Sequence, residues 1–135
     1  VIGDGVNLAS RLEGLNKYYG TTILIGPETA RRLASRLPCR LVDRVAVKGR
    51  REGVEVYELL GLGISDEVRR GVLAYEAALK AHWERHWDEA LAHIEKTLSL
   101  LPGDGPTVKL KQRVEGLKQN PPPADWSGVM TMDEK

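Results

Sequence analysis

Hydrophobic positions along the chain switch between a helical and an extended repeat. Leu8, Leu12, Leu15 and Tyr19 recur at i, i+4, i+7 and i+11, which predicts an amphipathic helix over residues 6–19, with Gly20 ending it as a C′ glycine. Thr22-Ile23-Leu24-Ile25 is a short continuous apolar run and predicts a buried strand. Gly26-Pro27-Glu28 restarts a helix, because proline suits its first turn and a carboxylate suits its positive end. Ala30, Leu33, Ala34 and Leu37 give that helix an apolar face, Arg31, Arg32 and Arg36 a solvated one, and Pro38 closes it. Residues 40–48 and 53–59 read as a hairpin. Val45 and Val47 alternate in one arm, Val54, Val56 and Tyr57 enrich the other, and a polar Gly49-Arg50-Arg51-Glu52-Gly53 connection joins them.

Past Gly61-Leu62-Gly63-Ile64-Ser65 the strand formers stop. Ser65-Asp66-Glu67 is a helix start, and helices are predicted over roughly residues 66–84, 87–101 and 106–119. Asn120-Pro121-Pro122-Pro123 cannot continue a helix and favours an extended path, with Trp126 expected to pin the tail to its own domain. The expectation is therefore an α+β chain in four parts: 1–60 mixed, 61–65 a linker, 66–119 all-helical and 120–135 a Pro-rich extended tail.

The chain has 135 residues, 41% hydrophobic and 29% charged, the balance of an ordinary globular protein. A net charge of +1 gives no reason to expect a nucleic-acid polymer or a membrane surface as partner. The single Cys39 excludes an intrachain disulfide and fits a reducing compartment. No run approaches the roughly 18 apolar residues of a membrane span. With Val1 standing inside a motif and no initiator Met, the sequence reads as part of a longer chain.

Candidate chemistry concentrates at the start, in Val1-Ile2-Gly3-Asp4-Gly5-Val6-Asn7-Leu8-Ala9-Ser10-Arg11-Leu12-Glu13. Asn7 and Arg11 lie one turn apart on one helical face, about 6 Å along the axis. A glycine turn at a helix N-terminus is a natural place for an anion, although an ordinary polar flank is the commoner meaning of such geometry. Asp4 reads as a helix cap. A dinucleotide-binding reading of Gly3-Asp4-Gly5 fails, since Leu8 stands where the third glycine belongs.

The stretch closely resembles the signature of the class III nucleotide cyclases, G-D-x-V-N-x-A-S-R. The resemblance implies the C-terminal part of a ferredoxin-like cyclase catalytic domain that converts ATP to cyclic AMP and pyrophosphate. On the matching positions, Asn7 would orient the ribose and Arg11 would stabilise charge on the triphosphate in the transition state. Val47-Lys48-Gly49 resembles the family's late strand, and Lys48 would bind phosphate. The two metal-holding Asp residues of the family lie upstream of the motif. The resemblance therefore implies two Mg2+ or Mn2+ ions bound outside this sequence, no metal ligand within it, and no turnover by this chain alone. It also implies a homodimer with the site at the subunit interface, and a cytoplasmic location for the catalytic part of a parent that is soluble or membrane-anchored. Residues 1–60 hold fewer strands than the family's sheet, so an apolar sheet edge is expected to be bare.

Ala74, Ala77, Ala78 and Ala81, then Trp87-Asp88-Glu89-Ala90-Leu91, Ile94, Leu98 and Pro102, resemble one tetratricopeptide unit. A lone unit buries little surface and is expected to lean on the cyclase-like part or on another subunit. A different reading stays open: a helical protein-interaction module on a degenerate or regulatory cyclase domain. Guanylate cyclase is also open, because the residue bearing on the base would precede Val1. His82, His86 and His93 lack a zinc-motif pattern and are expected to be solvated or partly buried, and Trp83 and Trp87 to be core.

Overall fold

In the computed structural model, which describes residues 12, 14–21, 23–33, 36–47, 53–61 and 63–132, the mixed α+β class is realised as one four-stranded sheet with helices. A helical stretch at residues 14–19, here α1, ends at Gly20 with φ 72°; the N–H groups of Gly20 and Thr21 both donate to the Asn16 carbonyl. Only glycine takes that left-handed conformation at no steric cost, so the helix stops there. Then come β1 (Leu24–Ile25), α2 (Pro27–Leu33), β2 (Cys39–Val47) and β3 (Val54–Leu59). The hairpin is confirmed as an antiparallel β2–β3 pair, and β1 adds antiparallel to β3. The strand expected over 22–25 is shorter: Ile23 is exposed and only Leu24–Ile25 pair. The second helix is shorter too, since residues 36 and 37 form a turn ahead of Pro38.

The three long helices form where the periodicity puts them: α3 (Asp66–Trp83), α4 (Trp87–Leu100) and α5 (Gly105–Gln119). Ser65 caps α3 by accepting from the Val68 N–H, and Asp104 caps α5 by accepting from Thr107. Their core is Tyr75, Ala78, Leu79, Ala90, Ile94, Leu110 and Val114. A second core lies under the sheet and joins Leu15 and Tyr19 of α1 to Leu24, Val42, Val45 and Val56.

The two cores are bolted together. Leu41 of β2 packs into the helical core, the Tyr75 hydroxyl donates to the Val42 carbonyl, and the Leu41 N–H donates to Glu76. The helices thus lean on the sheet of their own chain, one of the two supports expected from sequence.

The tail departs from expectation. After the prolines it turns back and forms β4 (Met130–Met132), which pairs parallel with β2 and gives the sheet order β1-β3-β2-β4. β4 thus covers the outer edge of β2 over Val45–Val47. Arg85, in the left-handed region at φ 67°, donates to the carbonyls of Pro122 and Pro123, and Trp126 packs against His82 and Trp87. Trp126 pins the tail as expected, and it pins it to the helices.

His82 is a correction. It is wholly buried, because Arg113 and the returning Trp126 close over it. His86 is exposed and His93 half-buried. Trp83 and Trp87 are half-buried and pack against the helical core. Among the described residues no helix is long and apolar enough to cross a membrane.

Candidate functional site

Asn7, Arg11 and Lys48 lie outside the described residues, as does the cap assigned to Asp4. The described structure holds their immediate supports. Leu12, directly after Arg11, packs against the core that contains Leu15 and Tyr19. Val47, directly before Lys48, is the last residue of β2 and pairs with Met132. One support is thus a helix seated on the sheet, the other the end of a strand paired on its outer side.

Between these supports and the helices runs a buried polar network that the sequence did not disclose. The Tyr19 hydroxyl donates to Asp43 Oδ2 at 2.7 Å, and Arg113 of α5 donates to the same oxygen. Asp43 Oδ1 accepts from the Arg44 N–H at 2.8 Å. Asp43 is 1% exposed and Arg113 is well shielded. The strand makes this possible by a register shift between Leu41 and Asp43, which lets both Val42 and Asp43 turn inward. Burial works against the Arg113 cation, but Asp43 more than compensates and raises its pKa. Burial, reinforced by Asp43, raises the Tyr19 phenol far above its ordinary value, so it stays protonated and donates.

A second cluster surrounds Arg40, 3% exposed and second in β2. Its Nη1 and Nη2 donate to the two oxygens of Asp104 at 2.7 and 2.9 Å, while Nε donates to Glu58 Oε1 at 3.1 Å. Burial pushes the Asp104 carboxyl up, but the hydrogen bonds and charge of Arg40, with those of Thr107, outweigh it and hold the carboxyl below its ordinary value. Asp104 and Glu58 are both paired with Arg40, so the arrangement fixes helices to sheet. One signal was available: Arg40 and Asp43 interrupt an apolar strand run, and a charge at such a position must be paired or exposed. Among the described residues no group of three His, Cys, Asp or Glu is placed to hold a metal ion.

Burial, then the Arg113 charge, lowers the His82 pKa from 6.5 to about 3. Unfolded chains therefore bind a proton that the folded state refuses. The stability this contributes is complete above pH 6.5 and is lost as pH falls towards 3, by up to about 1.4 kcal/mol per pH unit. Asp104 adds a loss in the same direction, below the ordinary carboxylate range. Urea midpoints are expected to fall between pH 6 and pH 4, and His82→Phe to flatten that slope. An unchanged slope in His82→Phe would show that His82 is not the group responsible.

Comparison with known proteins adds a likeness to three curated cyclases. The chain is 35% identical over 118 residues, 83% of its length, to "Adenylate cyclase, terminal-differentiation specific" of Dictyostelium discoideum. It is 48% identical over 62 residues to "Adenylate cyclase" of Anabaena cylindrica and 38% identical over 61 residues to "Adenylate cyclase 1" of Rhizobium meliloti (strain 1021), 44% and 45% of the chain. The chain carries a region related to the adenylate cyclases. It spans only 6%, 12% and 9% of the length of these relatives. No protein-family model and no solved structure matches it. At 83% of the chain, the Dictyostelium alignment exceeds residues 1–60 and takes in α3 and α4 from whichever end it is placed. The likeness to that relative thus extends beyond residues 1–60 into the sequence of the helices.

Proposed function

We propose that this chain is the C-terminal part of an adenylate cyclase catalytic unit, contributing the nucleotide-binding half of the site while the metal-binding half lies in sequence outside it. The observation that carries the reading is that three relatives, 35%, 48% and 38% identical, all bear the name adenylate cyclase. The motif at residues 1–13 agrees with it. The reaction forms a bond from the ribose 3′ oxygen of ATP to the α-phosphorus while the bond to pyrophosphate breaks, and the hydroxyl proton leaves to solvent. Negative charge grows on phosphate oxygens, where preorganised cations lower the barrier.

In this reading Asn7 hydrogen-bonds the ribose and holds the 3′-hydroxyl in line. Arg11, always charged and able to donate two parallel hydrogen bonds, stabilises the charge that develops in the transition state. Lys48 supplies a mobile point charge to the triphosphate. Two divalent ions, Mg2+ or Mn2+, would neutralise the phosphates from carboxylates outside this sequence. A homodimer with its site at the interface would bring the two halves together, at the inner face of a membrane or in the cytoplasm.

The test uses the natural protein that contains this sequence. Arg11→Ala is expected to cut cyclic AMP formation about 10²–10³-fold, as for loss of a preorganised oxyanion donor, with a much smaller change in KM. Unchanged turnover in Arg11→Ala sinks the reading.

A further inference from the structure

The helices and tail grip both supports of the proposed site at once, and this sets them apart from an appended module. At the C-terminal end of α1, Tyr19 is tied through Asp43 to Arg113 of α5. The first residue of α5, Gly105, lies so close to the Tyr19 carbonyl that a Cβ there would sit 1.8 Å from its oxygen. No side chain fits that gap, so α5 and the end of α1 are in backbone contact. Lys109 of α5 lies 4.8 Å from the centre of the Tyr18 ring, a third point of grip. The start of α5 is itself held, because Asp104 is clamped by Arg40 from the sheet. On the other side, β4 pairs with Val45, Ala46 and Val47, the three residues directly before Lys48.

We infer that Tyr19, Asp43 and Arg113 are positioning residues for the cyclase reaction, fixing the angle at which the motif helix lies across the sheet. The inference rests on the function proposed above. The physical step is leverage. Leu12, directly after Arg11, is helical and lies seven residues, about 10 Å along the axis, from Tyr19. A tilt of roughly 5° about the Tyr19 anchor moves a point at that distance by about 1 Å, and a misplacement of that size lowers a rate by up to about 10²-fold. Tyr19 touches neither substrate nor metal in this arrangement; it acts through the helix.

The decisive variant is Tyr19→Phe in the natural protein, because it keeps the ring in the core and removes only the hydroxyl, with its bond to Asp43 and its 3.4 Å contact to Met130 Sδ. The pair Asp43→Leu with Arg113→Met removes the relay's acceptor and donor together without leaving a buried charge behind. Well below the unfolding temperature, Tyr19→Phe is expected to lower kcat roughly tenfold with KM for ATP within about twofold. Adding Tyr19→Phe to the Asp43→Leu/Arg113→Met background is expected to cost little more, since the relay is already cut. Amide exchange should accelerate over residues 14–20 and stay unchanged in α4. A lowered melting temperature with kcat intact would make Tyr19 a merely structural residue and overturn the inference. Additive losses, or unchanged exchange over residues 14–20, would overturn it as well. Arg11→Ala separates the two claims: if it abolishes turnover while Tyr19→Phe leaves kcat intact, only the positioning role falls, and if it is neutral the cyclase reading falls. In a protein without cyclase activity, the exchange measurement still decides whether the relay controls α1.

Discussion

Replacing Arg40 by methionine is expected to lower stability by about 3–5 kcal/mol, the cost of leaving buried charges without their partner. The setting is severe because the Arg40 side chain is 3% exposed while Glu58 and Asp104 are 17% and 15% exposed. Two shielded carboxylates would then face each other with no cation between them. Asp104 would also lose the partner that depresses its pKa, while its capping bonds to Thr107 compete with its protonation. The prediction separates breaking a network from removing one. Arg40→Met combined with Glu58→Gln and Asp104→Asn deletes all three charges, and should recover most of the loss. Urea unfolding at constant slope reads both, and a single-variant loss under about 1 kcal/mol would mean that the cluster behaves like an exposed ion pair.

Tyr75→Ala is expected to cost a further-reaching 3–5 kcal/mol, as for a large buried aromatic cut back to a methyl group. Tyr75 is 1% exposed, belongs to the helical core, lies with its ring 5.0 Å from the Arg40 guanidinium carbon and donates to the Val42 carbonyl. It belongs to the helical core and at the same time bonds the backbone of β2. Tyr75→Phe isolates the hydroxyl and should cost only about 0.5–1.5 kcal/mol, enlarged where the Val42 carbonyl finds no water. A pair of equal losses would place all the energy in the hydrogen bond and none in the packing.

What could be read in the sequence was what the chain does locally. Leu15 and Tyr19 repeat at the helical period, Ser65 accepts from an N–H three residues on, and Gly20 takes a conformation other residues avoid; each is legible within one turn. The hairpin was legible for the same reason, since its two arms are neighbours in sequence. The Asp43 relay was not, because its bonds span 24 residues to Tyr19 and 70 to Arg113. The sequence leaves His82 solvated or partly buried; it is wholly buried because Trp126, far along the chain, packs against it. β4 escaped because Met130-Thr131-Met132 carries little strand signal of its own, and its pairing depends on a proline-led return across the helices. For the candidate site, Asn7, Arg11 and Lys48 came from matching positions in a motif. The groups that steady their surroundings came only from three dimensions.

The parallel pairing of β4 with β2 also sets an order of assembly. Val45 and Met130 face each other in register across 85 positions of chain. At about 5–20 residues per second, a ribosome needs about 4–17 s to make that interval. For those seconds β2 has β3 to pair with on one side and nothing from β4 on the other. An unpaired strand edge is a template for any other strand that arrives first. β4 is therefore also a gatekeeper: speed of synthesis and dilution of nascent chains, more than final stability, decide whether β2 is closed by its own tail or by a neighbour.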